Sequence, residues 1–178
     1  MKFLIIIPAH NEENNLPFTL DSLKGQIHDD FKVVVVNDGS TDSTAEIIKK
    51  YTETDSRFET INLEKSTHQP GSKVVAAFKK GLETQNIQAF DIICKFDSDI
   101  ILTENYLQKI AESFQRNPDF GLVGGLLYVE KNGEWVYEGN SNKNHVRGPM
   151  KAYRRECFLE MGGLRATLGW DNLDAIIL

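Results

Sequence analysis

The sequence predicts a three-layer α/β domain with a mostly parallel central sheet, and three observations lead to this prediction. Short apolar runs rich in β-branched residues alternate with helical hydrophobic patterns through the first two thirds of the chain. Such alternation is typical of β-α units, which build parallel sheets covered by helices. Polar segments follow three of the apolar runs, as expected where a sheet of this kind binds a ligand beyond the carboxyl ends of its strands.

Four strand–helix units make up the predicted sheet and its covering helices. The predicted strands are Phe3–Ile7, Val33–Val36, Phe58–Leu63 and Ile92–Phe96. The apolar positions at helical spacing are Leu16, Leu20, Leu23 and Ile27 in the first helix, Ala45, Ile48 and Tyr51 in the second, Val74, Ala77, Phe78, Gly81 and Leu82 in the third, and Leu107, Ile110, Ala111 and Phe114 in the fourth. Ser43 and Glu46 form a capping-box pattern before the second helix, and Thr103 is the predicted cap of the fourth.

The pattern changes after the fourth helix. Leu122–Lys131 and Glu134–Glu138 flank Asn132-Gly133, which favours a hairpin because this dipeptide readily adopts two positive φ angles. The remaining predicted elements are a loop over Gly139–His145, a short helix over Tyr153–Met161 ended by Gly162-Gly163, and a last helix opened by Gly169-Trp170-Asp171.

Length and composition restrict the class of protein. The 178 residues suit one domain, and 40% hydrophobic with 26% charged residues exclude a disordered or collagen-like chain. Lys+Arg 20 against Asp+Glu 26 gives a formal net charge of −6, which disfavours nonspecific nucleic-acid binding because that binding needs a basic surface. No apolar run approaches the ~18 residues of a membrane span, and the N-terminal run is too short for a signal peptide.

The two cysteines, Cys94 and Cys157, lie far apart in the chain. They belong to no Cys-x-x-Cys pair and to no zinc-type spacing. We therefore expect two reduced, semi-buried thiols, which fits a cytoplasmic protein.

Polar residues follow three predicted strands at the point where each strand ends. The three segments are Pro8-Ala9-His10-Asn11-Glu12, Asn37-Asp38-Gly39-Ser40 and Asp97-Ser98-Asp99. Each segment alone is compatible with ordinary turn and cap chemistry. Because the carboxyl ends of parallel strands share one edge of a sheet, the three together predict a binding site.

Asp97 and Asp99 are the sharpest local feature. Residues two apart at a strand end point the same way, so both carboxylates can face one spot while Ser98 turns away. Close carboxylates repel each other unless they share a proton or a cation, and Mg²⁺ or Mn²⁺ carrying diphosphate oxygens relieves that repulsion. The chain has no Gly-x-x-x-x-Gly-Lys-Ser/Thr and no Gly-x-Gly-x-x-Gly after its first strand, which disfavours P-loop NTPases and dinucleotide dehydrogenases.

Three motifs in chain order closely resemble family-2 glycosyltransferases of the GT-A fold. They are Ile5-Ile6-Ile7-Pro8-Ala9-His10-Asn11-Glu12, Val34-Val35-Val36-Asn37-Asp38-Gly39-Ser40-Thr41-Asp42 and Phe96-Asp97-Ser98-Asp99, and the likeness runs over nearly the whole chain. The resemblance implies an inverting transfer of a sugar from a nucleoside-diphosphate donor, such as a UDP- or GDP-sugar, to an acceptor hydroxyl.

The resemblance also implies roles for individual residues on the donor side. The residues implied for nucleotide and donor binding are Pro8, Ala9, His10, Glu12, Asp38, Gly39, Gly71, Lys73, Asp97 and Ser98. Asp99 is the implied direct ligand of Mn²⁺ or Mg²⁺, and Asp97 lies nearer the ribose or sugar while sharing the metal. The Asn that the family places further along the third helix is replaced, so no role is carried to Lys79.

On the acceptor side, the family's general base is an Asp at the start of a helix, usually preceded by Glu. Asp171 matches this base, with Trp170 in place of the Glu, and Asp174 is the runner-up one helical turn later. The same resemblance places His145 and Arg147 where the family meets its acceptor or covers its donor. The implied acceptor is a surface glycan, a polysaccharide or a lipid-linked molecule.

Two other readings stay open on the sequence. One is a nucleotide-sugar-binding domain without activity in isolation, and the other is a sugar nucleotidyltransferase, which would be expected to carry a Gly-rich basic loop after its first strand. We expect one catalytic domain over residues 1–178, C-terminally incomplete because family members usually continue beyond the base. A cytoplasmic location is expected; attachment to the inner membrane face through the missing part, and a homodimer, are left open.

Overall fold

The computed structural model describes residues 1–64, 72–139, 145–167 and 169. The elements in chain order are β1 (Phe3–Ala9), α1 (Leu16–Lys24), β2 (Phe31–Asp38), α2 (Thr44–Thr54), β3 (Phe58–Leu63), α3 (Ser72–Glu83), β4 (Ile92–Phe96), α4 (Tyr106–Arg116), β5 (Leu122–Gly124), β6 (Tyr128–Lys131), β7 (Glu134–Tyr137), β8 (Met150–Arg154) and α5 (Arg155–Glu160). The four predicted strands are confirmed. Both β1 and β2 extend two residues further at their carboxyl ends than predicted, so Pro8, Ala9, Asn37 and Asp38 are strand residues.

In the described part of the chain, six strands form one sheet in the order β3-β2-β1-β4-β8-β5. The first four strands in this order run parallel, whereas β8 runs antiparallel to both of its neighbours. The predicted mostly parallel sheet is therefore confirmed. Within the described residues, β6 and β7 pair only with each other.

Helices cover both faces of the sheet. One core cluster joins α1, α2 and α4 to one face, and a second joins α3 and α5 to the other. Along β1, Phe3, Ile5 and Ile7 belong to the first cluster. Leu4 and Ile6 belong to the second. This two-sided burial explains why the run lacks polar positions, and it confirms the three-layer arrangement.

The prediction of a helix over Tyr153–Met161 is wrong in its first part. Met150–Arg154 is a strand between β4 and β5, and the helix begins only at Arg155. The first four residues of the strand are buried, because it has sheet neighbours on both sides and helices on both faces. A short buried run has no periodicity that separates strand from helix, and its partners are distant in sequence. Gly162-Gly163 ends the segment with φ angles of 76° and 74°, as predicted.

The predicted hairpin is confirmed at its turn but not along its first arm. Asn132 and Gly133 have φ angles of 55° and 83°. The predicted arm Leu122–Lys131 is divided, since β5 belongs to the main sheet and only β6 pairs with β7. The division falls at Gly125, whose N–H donates to the Tyr106 hydroxyl at 3.2 Å.

The helix ends differ from the prediction at several points. Ile27 lies beyond the end of α1 and is exposed, and Ala45 on α2 is exposed rather than inward. Ser43 occupies the N-cap position of α2 without a side-chain cap bond, so the capping box does not form. Asn105, not Thr103, holds the N-cap position of α4. The predicted buried stripe of α4 is confirmed.

Two further features concern thiols and membranes. Cys94 is buried and Cys157 is half-buried, and both are free. Burial raises the pKa of the Cys94 thiol well above its usual value, which makes this cysteine a poor nucleophile. None of the helices in the described segments is both long and apolar enough to cross a bilayer.

Candidate functional site

The candidate site lies at the carboxyl edge of the sheet, on the face covered by α3. Along β2, Val34 and Val36 pack in the cluster that contains α3, and strand alternation places Asp38 on the same face. Along β4, Ile93 packs in this cluster, and alternation places Lys95 there too. Because β1 lies between β2 and β4, these polar side chains flank the end of β1.

The loop after β1 is fastened to the loop after β2. The Nδ1 atom of His10 lies 2.7 Å from the carbonyl oxygen of Asp38, so this nitrogen donates. Asn11 has a left-handed φ of 56°. Its N–H donates to the Ser40 hydroxyl at 3.0 Å, and its side-chain oxygen accepts the N–H of Thr41 at 2.7 Å. Residues of the two sequence motifs that follow β1 and β2 thus hold these two loops together.

Asp42 is central to the hydrogen bonds that join the loops after β1 and β2, which we call the clamp. Its carboxylate accepts the N–H of Thr44 at 3.0 Å, the hydroxyl of Thr44 at 2.6 Å and the N–H of Glu13 at 3.2 Å. Burial raises the pKa of Asp42, but these hydrogen bonds outweigh burial and hold the pKa below its usual value. The N–H of Glu12 donates to the Thr44 hydroxyl at 2.8 Å, and the N–H of Ser43 donates to the Glu13 carboxylate at 3.0 Å. These bonds replace the predicted capping box.

The remaining predicted residues of the first two loops lie beside the clamp. Pro8 and Ala9 are buried as the last residues of β1. Gly39 follows β2 with a left-handed φ of 63°, a conformation that glycine adopts without a Cβ clash. The side chain of Glu12 accepts a hydrogen bond from the Asn15 amide at 3.2 Å.

Asp38 and Lys73 meet at the end of β2. The Nζ atom of Lys73, in the first turn of α3, lies 3.1 Å from Oδ2 of Asp38. The side chains are only 19% and 9% exposed, so water screens this pair less than a surface ion pair. Two residues assigned separately to the nucleotide side therefore form one unit, whereas Gly71 lies outside the described residues.

Asp97, Ser98 and Asp99 follow β4 directly. The N–H of Asp97 donates to the carbonyl oxygen of Pro149 at 2.9 Å. Ser98 is buried, and its carbonyl oxygen accepts the hydroxyl of Thr19 at 2.8 Å. Asp99 is exposed, and its carboxylate has no hydrogen-bond or ion-pair partner among the described residues. Ser98 is thus buried between a half-buried Asp97 and an exposed Asp99, and a common spot faced by the two carboxylates stays a prediction.

Sequence reasoning missed two buried lysines beneath these carboxylates. Lys95 on β4 and Lys151 on β8 are paired across the antiparallel ladder and are 2% and 0% exposed. The ammonium group of Lys95 contacts Oδ1 of Asp97 and lies 3.3 Å from the carbonyl oxygen of Gly148. A lysine inside the otherwise apolar run Ile92–Phe96 is the signal that could have found it, because a buried charge requires a partner.

The donor atoms at this edge fit a divalent ion that is shared with a phosphate ligand. No group of three or more His, Cys, Asp or Glu side chains in the described segments forms a complete metal site. The open carboxylate of Asp99 supplies hard oxygen ligands at this edge. Mg²⁺ is usually held in this way, by one or two carboxylates together with substrate phosphates.

The predicted acceptor-side residues are only partly described. Arg147 forms an ion pair with Glu138 at the end of the β6-β7 hairpin, and both are about a quarter exposed. His145 is half-buried. Gly148 and Pro149, which contact Lys95 and Asp97, connect Arg147 to the end of β4. Trp170, Asp171 and Asp174 lie outside the described residues.

Comparison with known proteins covers most of the chain. Residues 4–167 match the family model described as Glycosyl transferase family 2. Glycosyltransferase GlyA of Streptococcus pneumoniae serotype 4 is 34% identical over 146 residues, which are 77% of this chain and 20% of GlyA. The chain therefore spans about one fifth of the length of this relative.

Solved structures share the fold. Staphylococcus aureus TarS 1–349 superposes with a TM-score of 0.76 at 24% identity, over 99% of this chain and 55% of TarS 1–349. TarS 1–349 has also been crystallised with UDP-GlcNAc. The mannosyltransferase PcManGT from Pyrobaculum calidifontis, in complex with GDP-Man and Mn²⁺, has a TM-score of 0.73 at 20% identity, over 96% of this chain and 49% of that structure. The predicted GT-A fold is confirmed.

Proposed function

This chain belongs to glycosyl transferase family 2, and from that premise we propose that it transfers a sugar from a nucleoside-diphosphate donor to an acceptor hydroxyl. One observation carries the proposal. The Asp38–Lys73 pair and the Asp97–Asp99 segment lie at one edge of the sheet, flanking the end of β1. A nucleotide at this edge can contact the Asp38–Lys73 pair with its base and the Asp97–Asp99 segment with its phosphates and a metal ion at the same time.

The donor is the best supported part of the proposal. TarS 1–349 binds UDP-GlcNAc and PcManGT binds GDP-Man, and we extend nucleotide-sugar binding to this chain. Asp38 accepts an N–H of the base, and Lys73 fixes the orientation of Asp38. His10, Glu12 and the other residues of the clamped loops border the nucleoside. Asp97 accepts a hydroxyl of the ribose or sugar.

A divalent ion, Mn²⁺ or Mg²⁺, completes the proposed donor site, with Asp99 as its direct protein ligand. The ion supplies positive charge at the leaving diphosphate. PcManGT was solved with Mn²⁺, which supports the same class of ion here. Ser98 holds the Asp97–Asp99 turn against α1 through Thr19, so the two carboxylates are carried on a fixed backbone.

Inversion requires one carboxylate on the acceptor side and no covalent nucleophile. Asp171 is the proposed base and takes a proton from the acceptor hydroxyl as that oxygen attacks the anomeric carbon. Asp174 is the alternative base, and Trp170 borders the acceptor. Arg147 and His145 lie where the acceptor approaches, with Arg147 held by Glu138. We propose a glycan or lipid-linked acceptor and a cytoplasmic location.

The second candidate function is nucleotide-sugar binding without transfer in isolation. This chain spans only 20% of GlyA and 55% of TarS 1–349, so the transfer activity of those longer proteins is extended to it only as a proposal. A sugar nucleotidyltransferase is a weaker alternative, since the loop after β1 carries Pro8-Ala9-His10-Asn11-Glu12 instead of a basic glycine-rich loop.

The test measures release of nucleoside diphosphate from UDP- and GDP-sugars, with and without Mn²⁺. We expect Mn²⁺-dependent turnover that falls by about 10²- to 10⁴-fold in Asp171→Asn, as for loss of a general base, with donor binding retained. Asp119→Asn, at an exposed acid remote from the site, is the matched control. Metal-dependent binding without turnover would support the binding-domain alternative. Turnover unaffected by Asp171→Asn would reject Asp171 as the base.

A further inference from the structure

We propose that Lys95 is a positioning residue that fixes Asp97 as a hydroxyl acceptor and leaves metal binding to Asp99. The inference rests on the proposed function and assigns separate tasks to the two carboxylates. It starts from an unusual placement, a lysine that is 2% exposed in the centre of the sheet and in contact with Asp97.

The burial of Lys95 makes the contact with Asp97 stable. A buried ammonium group is costly unless it is paired and hydrogen-bonded. Lys95 meets this requirement with Oδ1 of Asp97 and the carbonyl oxygen of Gly148. Because β4 has a strand on each side, the lysine backbone is fixed, and the ammonium group therefore sets the side-chain orientation of Asp97.

The same contact limits what Asp97 can bind. Lys95 occupies Oδ1, and the backbone N–H of Asp97 is held by Pro149. We assign the second carboxylate oxygen of Asp97, Oδ2, to the ligand. A single oriented oxygen beside an ammonium group suits a hydroxyl donor better than a cation, because the lysine already neutralises the carboxylate charge.

The charges along the edge lead to the same assignment. Three carboxylates, Asp38, Asp97 and Asp99, lie at the ends of β2 and β4. Lys73 pairs with Asp38 and Lys95 pairs with Asp97. Asp99 alone of the three has no partner among the described residues. The carboxylate whose charge no described residue compensates is the one that we expect to attract a divalent ion.

The experiment compares Lys95→Met, Asp97→Asn, their double variant and Asp99→Asn. Lys95→Met removes the charge and keeps the length of the side chain. The matched control is Lys32→Met, which breaks the Lys32–Glu59 pair at 2.6 Å near the opposite end of the strands. For each variant we measure the donor KM, kcat, the Mn²⁺ concentration for half-maximal turnover, and UDP and GDP binding by calorimetry.

We expect Lys95→Met to raise the donor KM by about tenfold, the scale of one hydrogen bond to a charged group, with kcat changed less. In the Asp97→Asn background, Lys95→Met should add little, because Lys95 acts through Asp97. The Mn²⁺ requirement should rise in Asp99→Asn but stay within about twofold in Lys95→Met, and Lys32→Met should alter none of these values.

Two results would overturn the role of Lys95. One is a folded Lys95→Met with an unchanged donor KM, and the other is a rise in Mn²⁺ requirement equal to that of Asp99→Asn. If circular dichroism shows Lys95→Met unfolded, Lys95→Arg carries the test, since its planar group cannot reproduce the ammonium contacts, and an unchanged donor KM again rejects the role. A wild-type protein that neither binds nor turns over UDP- or GDP-sugars would instead refute the proposed function.

Discussion

The ammonium nitrogen of Lys73 lies 3.1 Å from a carboxylate oxygen of Asp38. This contact joins the first turn of α3 to the last residue of β2. It makes a single unit of two residues that lie far apart in the sequence, and it compensates the charge of a carboxylate that is only 9% exposed. The position of the Asp38 carboxylate at this end of the sheet therefore depends on the position of α3.

Removal of Lys73 should weaken both the fold and the proposed nucleotide site. Lys73→Met leaves the Asp38 carboxylate shielded and unpaired, and we expect a loss of about 1–3 kcal/mol in the free energy of unfolding. UDP or GDP affinity should fall as well. In Asp38→Asn the same lysine substitution should cost less, because the shielded charge is gone. Urea unfolding and calorimetry of the four proteins measure both effects, and strict additivity would contradict a direct coupling.

Asp42 should stabilise the fold in a pH-dependent way. Its pKa is lowered in the folded state, so its contribution is complete above the unfolded value near 3.8 and is lost as the pH falls through the folded value. Asp42→Ala should cost about 0.5–2 kcal/mol at pH 7, the range measured for lost helix caps. The difference from wild type should shrink below pH 4.

Urea unfolding at pH 7 and at pH 3 gives the two differences for Asp42→Ala. The exposed Asp119→Ala is the control, for which both differences should be small. A cost for Asp42→Ala that is equal at the two pH values would show that the charge of Asp42 is irrelevant to the clamp.

Gly81→Ala should destabilise the protein although alanine is the better helix former. An added Cβ would lie 2.7 Å from Cγ2 of Ile6 and 2.8 Å from Cγ2 of Val36, two buried side chains of the central strands. Overpacking of this kind costs about 1–3 kcal/mol, against a gain of at most about 1 kcal/mol from helix propensity, so we expect a net loss over most of this range. Thermal unfolding should show a lowered Tm. Gly139→Ala, with no atom within 4 Å of the new Cβ, should leave Tm nearly unchanged.

Asp99→Asn should weaken metal-dependent nucleotide binding more than metal-independent binding. The change removes one negative charge and one hard ligand from the edge, so a tenfold or larger increase in the Mn²⁺ concentration for half-maximal UDP or GDP binding is expected, about 1.4 kcal/mol. Asp99 has no partner among the described residues, so the stability without ligand should change little. Calorimetry with Mn²⁺ and with EDTA separates these outcomes. Equal loss in both conditions would argue against a metal role.

The sequence predicted the candidate binding edge because the polar residues that follow each strand are adjacent to it in the chain. Apolar runs bounded by polar segments identify where β1, β2 and β4 end. Parallel pairing brings those ends to one edge of the sheet, independently of the conformation of the loops. Asp38, Asp97 and Asp99 were recognised in this way. The mostly parallel sheet and the buried stripe of α4 follow from the same periodicity.

Only the tertiary structure decided which of these side chains are paired. Lys73 reaches Asp38, Lys95 reaches Asp97, and Asn11 and Asp42 fasten two loops, because elements distant in sequence are brought within hydrogen-bond distance. The insertion of Met150–Arg154 as an antiparallel strand is likewise nonlocal, since a short buried run gains its identity from its neighbours. Hydrophobic periodicity is a local property and determined the layers, whereas charge compensation depends on distances through space and was set by the folded chain.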